Sequence, residues 1–117
     1  METKFVTFYH HSRCRKSRAG LELLQQKGIE IKVREYFKEP FSEKELEDLL
    51  MFLNKKPVEI IRTKEYDFIT KFRNKDFSDY EWIRILIEYP NLIRRPIIVR
   101  GLKAVIGENT EEIEKLF

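Results

Sequence analysis

The chain opens on an apolar run, Phe5-Val6-Thr7-Phe8-Tyr9, that reads as a β-strand and gives way to the polar stretch from His10 to Arg18. Ala19, Leu23 and Leu24 then recur at helical spacing, and Gly28 can supply the left-handed residue that ends a helix. Ile29, Ile31 and Val33 alternate with Glu30, Lys32 and Arg34, the period of a half-buried strand. Strand, helix and strand in so short a stretch make a βαβ unit. Its two strands are therefore expected to lie parallel in one sheet, joined by a right-handed crossover.

The middle of the chain is patterned as helix. Ser42 with Glu45 makes a capping box ahead of Leu46, Leu49, Leu50 and Leu53, and Ser78 with Glu81 makes another ahead of Trp82, Ile85, Leu86 and Tyr89. Between them, Pro57 can open a short helix through Val58, Ile60 and Ile61, and Tyr66, Ile69 and Phe72 suggest one or two further turns. All of these stripes are expected to be core. Pro90 stops the last of these helices. The period then changes: Ile97-Ile98-Val99 reads as a strand, Arg100-Gly101-Leu102 as a tight turn, and Ala104-Val105-Ile106 as the hairpin partner. Asn109 can cap a last short helix carrying Ile113, Leu116 and Phe117. The order β-α-β, helical insertion, β-β-α describes an α/β, thioredoxin-like fold with a mixed four-stranded sheet, its insertion at about residues 40–90.

Composition narrows the class. A length of 117 residues suits one domain, able to bury a single core without disulfides or a structural metal. With 37% charged and 13% aromatic residues the chain is neither disordered nor fibrous. The net charge of +3, with both signs interspersed, favours a small anionic ligand and argues against direct nucleic-acid binding. No apolar stretch approaches the ~20 residues that span a bilayer, so no membrane association is expected. Met1-Glu2-Thr3-Lys4 leads straight into the strand-like run, so no secretory signal is expected either. One cysteine excludes a disulfide within the chain and fits a reducing cytoplasm.

That cysteine, Cys14, sits where the first strand gives way to the first helix, among Arg13, Arg15 and Arg18. A lone cysteine is often just a small buried hydrophobe, and three arginines can be an ordinary solvated helix start. The position argues for more, because a thiolate at a helix's positive end, among cations, is more acidic than a free one. His10 and His11 beside a single cysteine do not make a metal site: there is no second cysteine and no carboxylate at ligand spacing. No metal is expected.

Three segments stand together: Tyr9-His10-His11-Ser12-Arg13-Cys14-Arg15-Lys16-Ser17-Arg18, Ile60-Ile61-Arg62-Thr63-Lys64, and Asn91-Leu92-Ile93-Arg94-Arg95-Pro96-Ile97-Ile98-Val99. In that order and spacing the chain resembles, over essentially its whole length, the arsenate reductases that use glutathione and glutaredoxin, a family shared with the Spx transcription regulators. The resemblance implies that Cys14 is the nucleophile and that Arg62 and Arg95 hold the oxyanion, with Arg18 counted beside them as a substrate-binding cation. It implies arsenate as substrate, no bound cofactor, glutathione as co-substrate and glutaredoxin as partner. Ser17 stands in the place of the second cysteine of a Cys-x-x-Cys motif, or is simply a hydrogen bonder at the helix start. His10 either tunes the thiol or is a satisfied, partly buried histidine. Pro96 matches the proline that follows a cis peptide beside the thiol in thioredoxin-like folds, the alternative being a proline that opens an edge strand.

The chain departs from the pattern in two places. His11-Ser12 stands where the family commonly has Asn-Pro, and the strand after the hairpin offers no third arginine. Lys103 is near in sequence, and Glu108 brings an opposing charge, so the site is a poorer one for arsenate. Two other readings stay open: a Spx-like regulator that binds RNA polymerase, and a glutathione-reactive thioredoxin-like protein without arsenate activity.

Overall fold

The computed structural model describes residues 5–117. The chain divides into a sheet unit, Met1–Glu39 with Arg95–Phe117, and a helical unit, Pro40–Arg94.

In the sheet unit, β1 (Phe5–His10), α1 (Arg15–Gln26) and β2 (Glu30–Glu35) form the expected βαβ element, and β3 (Ile97–Arg100), β4 (Lys103–Ile106) and α4 (Thr110–Glu114) follow. The strand order is β2-β1-β3-β4. β1 runs parallel to β2, in register Val6 with Ile31 and His10 with Glu35, and antiparallel to β3, Tyr9 opposite Ile97. β3 and β4 make an antiparallel hairpin. The sheet is therefore mixed and four-stranded, and the fold is thioredoxin-like.

Alternation decides which side chains fill the core. Val6 and Phe8 of β1, Ile98 of β3 and Val105 of β4 cluster with Leu24 of α1, Ile113 of α4 and Leu116. Removing each such side chain from water stabilises the unit by roughly 1.5–3 kcal/mol before entropy is counted. The helix face differs from the one its leucines suggest: Ala19 is exposed, and Ser17, Gly20 and Leu24 are buried. Gly28, at φ 72°, takes the left-handed conformation just after α1. β2 is an edge strand, which leaves Val33 half exposed.

The helical unit holds α2 (Glu43–Leu53) and α3 (Asp79–Glu88), each opened by the capping box expected of it. Ser42 Oγ accepts the Glu45 N–H while Glu45 accepts the Ser42 N–H, and Ser78 and Glu81 do the same. Pro57–Ile60 is a 3-10 turn, and Pro90–Leu92 another. Leu46, Leu49, Leu50, Leu53, Trp82 and Leu86 are buried as expected, and Ile83 joins them in place of Ile85. Three residues do not: Tyr66 is 76% exposed, Val58 49% and Ile69 40%. Phe68–Phe72 is a π-helix, whose wider turn carries residues three apart off a common face, so Tyr66 and Ile69 are not core. Phe72 alone of that stripe packs inward, edge-on to Trp82 and Tyr89.

Candidate active site

Strand alternation carries the site to its place. The inward phase Val6, Phe8 continues to His10, which is buried although polar. A buried imidazole needs a partner, and Ser17, fully buried in the first turn of α1, supplies it. Ser17 Oγ lies 2.6 Å from His10 Nδ1 and accepts the His11 N–H at 3.1 Å. Phe8 meets the imidazole edge-on, centroids 5.5 Å apart. Burial lowers the His10 pKa, against the raising effect of Glu35, so the ring is neutral near pH 7.

After β1 the chain turns over His11–Cys14, and the Cys14 N–H donates to the His11 carbonyl at 2.9 Å. Cys14 is the N-cap of α1: its backbone is extended, φ −90° and ψ 125°, and its carbonyl accepts the Arg18 N–H at 3.0 Å. The half-buried thiol thus stands beside the helix's first, unpaired N–H groups. Burial pushes the thiol pKa up, but the Ser17 N–H, the Arg95 guanidinium and the Lys16 N–H together outweigh it, and the value lies below that of an ordinary thiol. The sulfur closes no capping bond of strict geometry. The backbone donors therefore act as oriented dipoles whose pull grows once the sulfur is charged.

Arg95 lies two residues ahead of Ile97, which faces Tyr9 on β1, and its guanidinium acts on both Cys14 and His11. The Arg95–Pro96 peptide is cis, as expected, and the Pro96 carbonyl accepts the Gly107 N–H at 2.7 Å. The His11 ring stacks on Phe37 at 3.9 Å, and its pKa is lowered by burial first and by Arg95 second.

The turn is also held from β2. The Glu35 carboxylate accepts the Ser12 N–H at 3.0 Å and the Ser12 hydroxyl at 3.4 Å, and Arg18 donates to the Ser12 carbonyl at 3.0 Å. Glu35 and Phe37 are absent from the sequence reading. The signal that finds Glu35 is the parallel register, which puts a carboxylate at the end of β2 level with the end of β1.

Cys14, Arg95, Pro96, Ser17 and His10 thus gather in the sheet unit. Arg18 stands with them but binds the Ser12 carbonyl. Arg62 is carried by the helical unit, where its N–H donates to the Leu92 carbonyl at 2.7 Å. Its guanidinium lies 2.9 Å from Glu65 without hydrogen-bond alignment, so that contact is an ion pair. Lys103 is no substitute for a third arginine: it opens β4 opposite Arg100, at the far end of the hairpin from Pro96, and donates to the Lys115 carbonyl at 2.8 Å. Glu108 lies 3.6 Å from Lys16. Among the described residues no group of three or more histidines, cysteines or carboxylates could hold a metal ion, and no helix is long and apolar enough to cross a membrane.

The molecule is therefore a thioredoxin-like α/β protein with a single thiol at the head of its first helix. The chain belongs to the ArsC family, whose model it matches over residues 9–116. It is 34% identical over 110 residues to an arsenate reductase of Haemophilus influenzae, covering 92% of this chain and 95% of that protein. The solved structure of an arsenate reductase from Vibrio cholerae matches with a TM-score of 0.91 at 30% identity, over 98% of this chain and 99% of that one. Similarity extends to the global transcriptional regulator Spx of Enterococcus faecalis, 29% identical over 113 residues, 94% of this chain and 84% of that protein.

Proposed function

We propose that the protein reduces a tetrahedral oxyanion, arsenate by its relatives, with Cys14 as nucleophile and glutathione with glutaredoxin as the source of electrons. The observation that carries this reading is the place of Cys14 as N-cap of α1, where, against burial, the Ser17 N–H, the Arg95 guanidinium and the Lys16 N–H lower its thiol pKa. The same groups that favour a thiolate also neutralise an approaching anion, which would otherwise repel it. Arg62 is the second arm by family resemblance.

In the proposed reaction the Cys14 thiolate attacks arsenic and displaces hydroxide, which leaves as water after protonation. Glutathione displaces a second hydroxide in the same way. A glutaredoxin thiolate then attacks the glutathione sulfur: a disulfide forms, the sulfur–arsenic bond breaks, and its electron pair stays on arsenic, which falls from As(V) to As(III). Hydrolysis of the remaining sulfur–arsenic bond releases arsenite and restores the thiol. No thiol in the chain can take over the second step, since Ser17 stands three residues after Cys14 and Cys14 is the only cysteine.

The test is arsenate-dependent NADPH oxidation in the presence of glutathione, glutathione reductase and glutaredoxin. Turnover is expected, and Cys14→Ser is expected to abolish it. A Spx-like regulator that binds RNA polymerase is the second reading, favoured by Glu108, paired with Lys16 where a third anion-binding arginine is wanted. No turnover with arsenate, together with co-purification of RNA polymerase, would decide for the regulator. No turnover with a mixed disulfide to glutathione and no polymerase would leave a glutathione-reactive protein.

A further inference from the structure

We propose that Glu35 is a positioning residue for Cys14: its carboxylate takes the outward N–H of Ser12 and so locks the turn that presents the thiol to its donors. The inference rests on reading Cys14 as a reactive thiol and adds to it a part of the molecule outside the motif.

The argument begins with hydrogen-bond bookkeeping in the turn. His11–Cys14 is closed by the bond from the Cys14 N–H to the His11 carbonyl, which makes Ser12 its second residue. The N–H of that residue points out of a β-turn and has no partner within it, which is one reason proline is favoured there. Here it is a serine, and Glu35 accepts its N–H at 3.0 Å. The other polar groups are met from α1: Ser17 Oγ accepts the His11 N–H at 3.1 Å, and Arg18 donates to the Ser12 carbonyl at 3.0 Å. Glu35 is thus the polar anchor from the β2 side, and the His11–Phe37 stack at 3.9 Å adds an apolar one.

Glu35 is well placed to stay ionised and ordered. Its side chain is 24% exposed, and Lys38 lies 3.3 Å away on the turn after β2. Burial raises its pKa, but the Ser12 hydroxyl and Lys38 outweigh this and lower it. The other titratable groups facing it are His10, its register partner on β1, and His11; Arg18 and Arg95 act on those imidazoles from α1 and from the head of β3. The acceptor therefore persists across the range in which the thiol titrates. Without it the turn keeps only the His11–Phe37 stack on the β2 side, and the sulfur loses alignment with Lys16, Ser17 and Arg95.

The measurement is the rate of Cys14 alkylation by iodoacetamide from about pH 5 to about pH 9, followed by intact mass on protein shown to be folded by its melting curve. Glu35→Ala is expected to react about three- to tenfold more slowly at about pH 6, its profile displaced to higher pH. Glu35→Gln keeps an acceptor for the N–H and should stay within about twofold of wild type. Ser12→Pro removes the N–H and fixes the turn covalently, and in that background Glu35→Ala should change nothing further. If Glu35→Ala does not fold, Glu35→Asp, one methylene too short, must shift the profile the same way to a smaller extent. A folded Glu35→Ala with the wild-type profile would overturn the proposal, as would Glu35→Gln and Glu35→Ala moving together to lower pH, the mark of a field effect. A wild-type profile centred at or above that of a free thiol would instead sink the reactive-thiol reading, whatever the variants do.

Discussion

Ser17 is the residue on which the site's interior depends. Its oxygen meets both His10 Nδ1 and the His11 N–H in a place closed to water, so alanine would leave two polar groups unpartnered. Ser17→Ala should cost about 1–3 kcal/mol in urea unfolding. His10 makes stability depend on pH. Its folded pKa lies below that of an exposed imidazole, ~6.5, so the unfolded chain binds more protons between the two values. The stabilisation is complete above about pH 6.5 and is lost as pH falls through the folded pKa. Melting temperature should therefore drop as the buffer is taken below that point, and His10→Asn, which keeps a polar partner for Ser17, should flatten the dependence. At this scale the places of Cys14 at the head of α1 and of Arg95 and Pro96 just before β3 were legible because they lie in the segments that carry the family resemblance. Glu35 was not, because its importance follows from which strand lies beside which, and local pattern does not carry that.

Among elements, the two capping boxes and the Asn109 cap were readable because a cap is a contact between residues three apart, visible in the sequence itself. Ser78→Ala should lower stability by about 1 kcal/mol, measured by chemical denaturation. The Tyr66–Phe72 stretch forms the helical turns its pattern suggests, but Phe68–Phe72 takes the π form, so its apolar residues do not share one buried face. The junction between β4 and α4 matters more than its sequence suggests. A Cβ on Gly107 would lie 2.7 Å from Ile98 Cδ1, 3.1 Å from Ile113 Cγ1 and 3.4 Å from Pro96 Cγ. Ile98 is fully buried and has little room to yield. Gly107→Ala should therefore destabilise by about 1–3 kcal/mol and, by disturbing the segment that carries Arg95, also slow alkylation of Cys14.

For the whole molecule, the crossover made β1 and β2 parallel and the hairpin made β3 and β4 antiparallel in the sequence itself, whereas the antiparallel β1–β3 pairing that joins the halves is not carried by either connection. The substrate is a finer matter, and Glu108, which lies 3.6 Å from Lys16, is a place to probe it. If arsenate is reduced, one charge-assisted contact worth roughly 1.5–3 kcal/mol is missing, which corresponds to about ten- to a hundredfold in KM. Glu108→Arg, which removes an opposing charge and offers a new donor, should raise arsenate turnover in the coupled assay. An unchanged or lower kcat/KM would show that this position does not face the substrate.

The burial of a hydroxyl at position 17, rather than a second sulfur, also governs how the molecule ages. Peroxide converts an acidic thiolate to a sulfenic acid, and a neighbouring thiol normally rescues it by condensing to a disulfide. This chain has no such neighbour, since Cys14 is its sole cysteine. Oxidised alone, it should pass irreversibly to the sulfinic and sulfonic acids, seen as successive gains of oxygen in the intact mass that dithiothreitol does not reverse. With glutathione present, the same treatment should stop at one reducible glutathione adduct per chain. The resting protein would then owe its survival under oxidative stress to the small thiols dissolved around it.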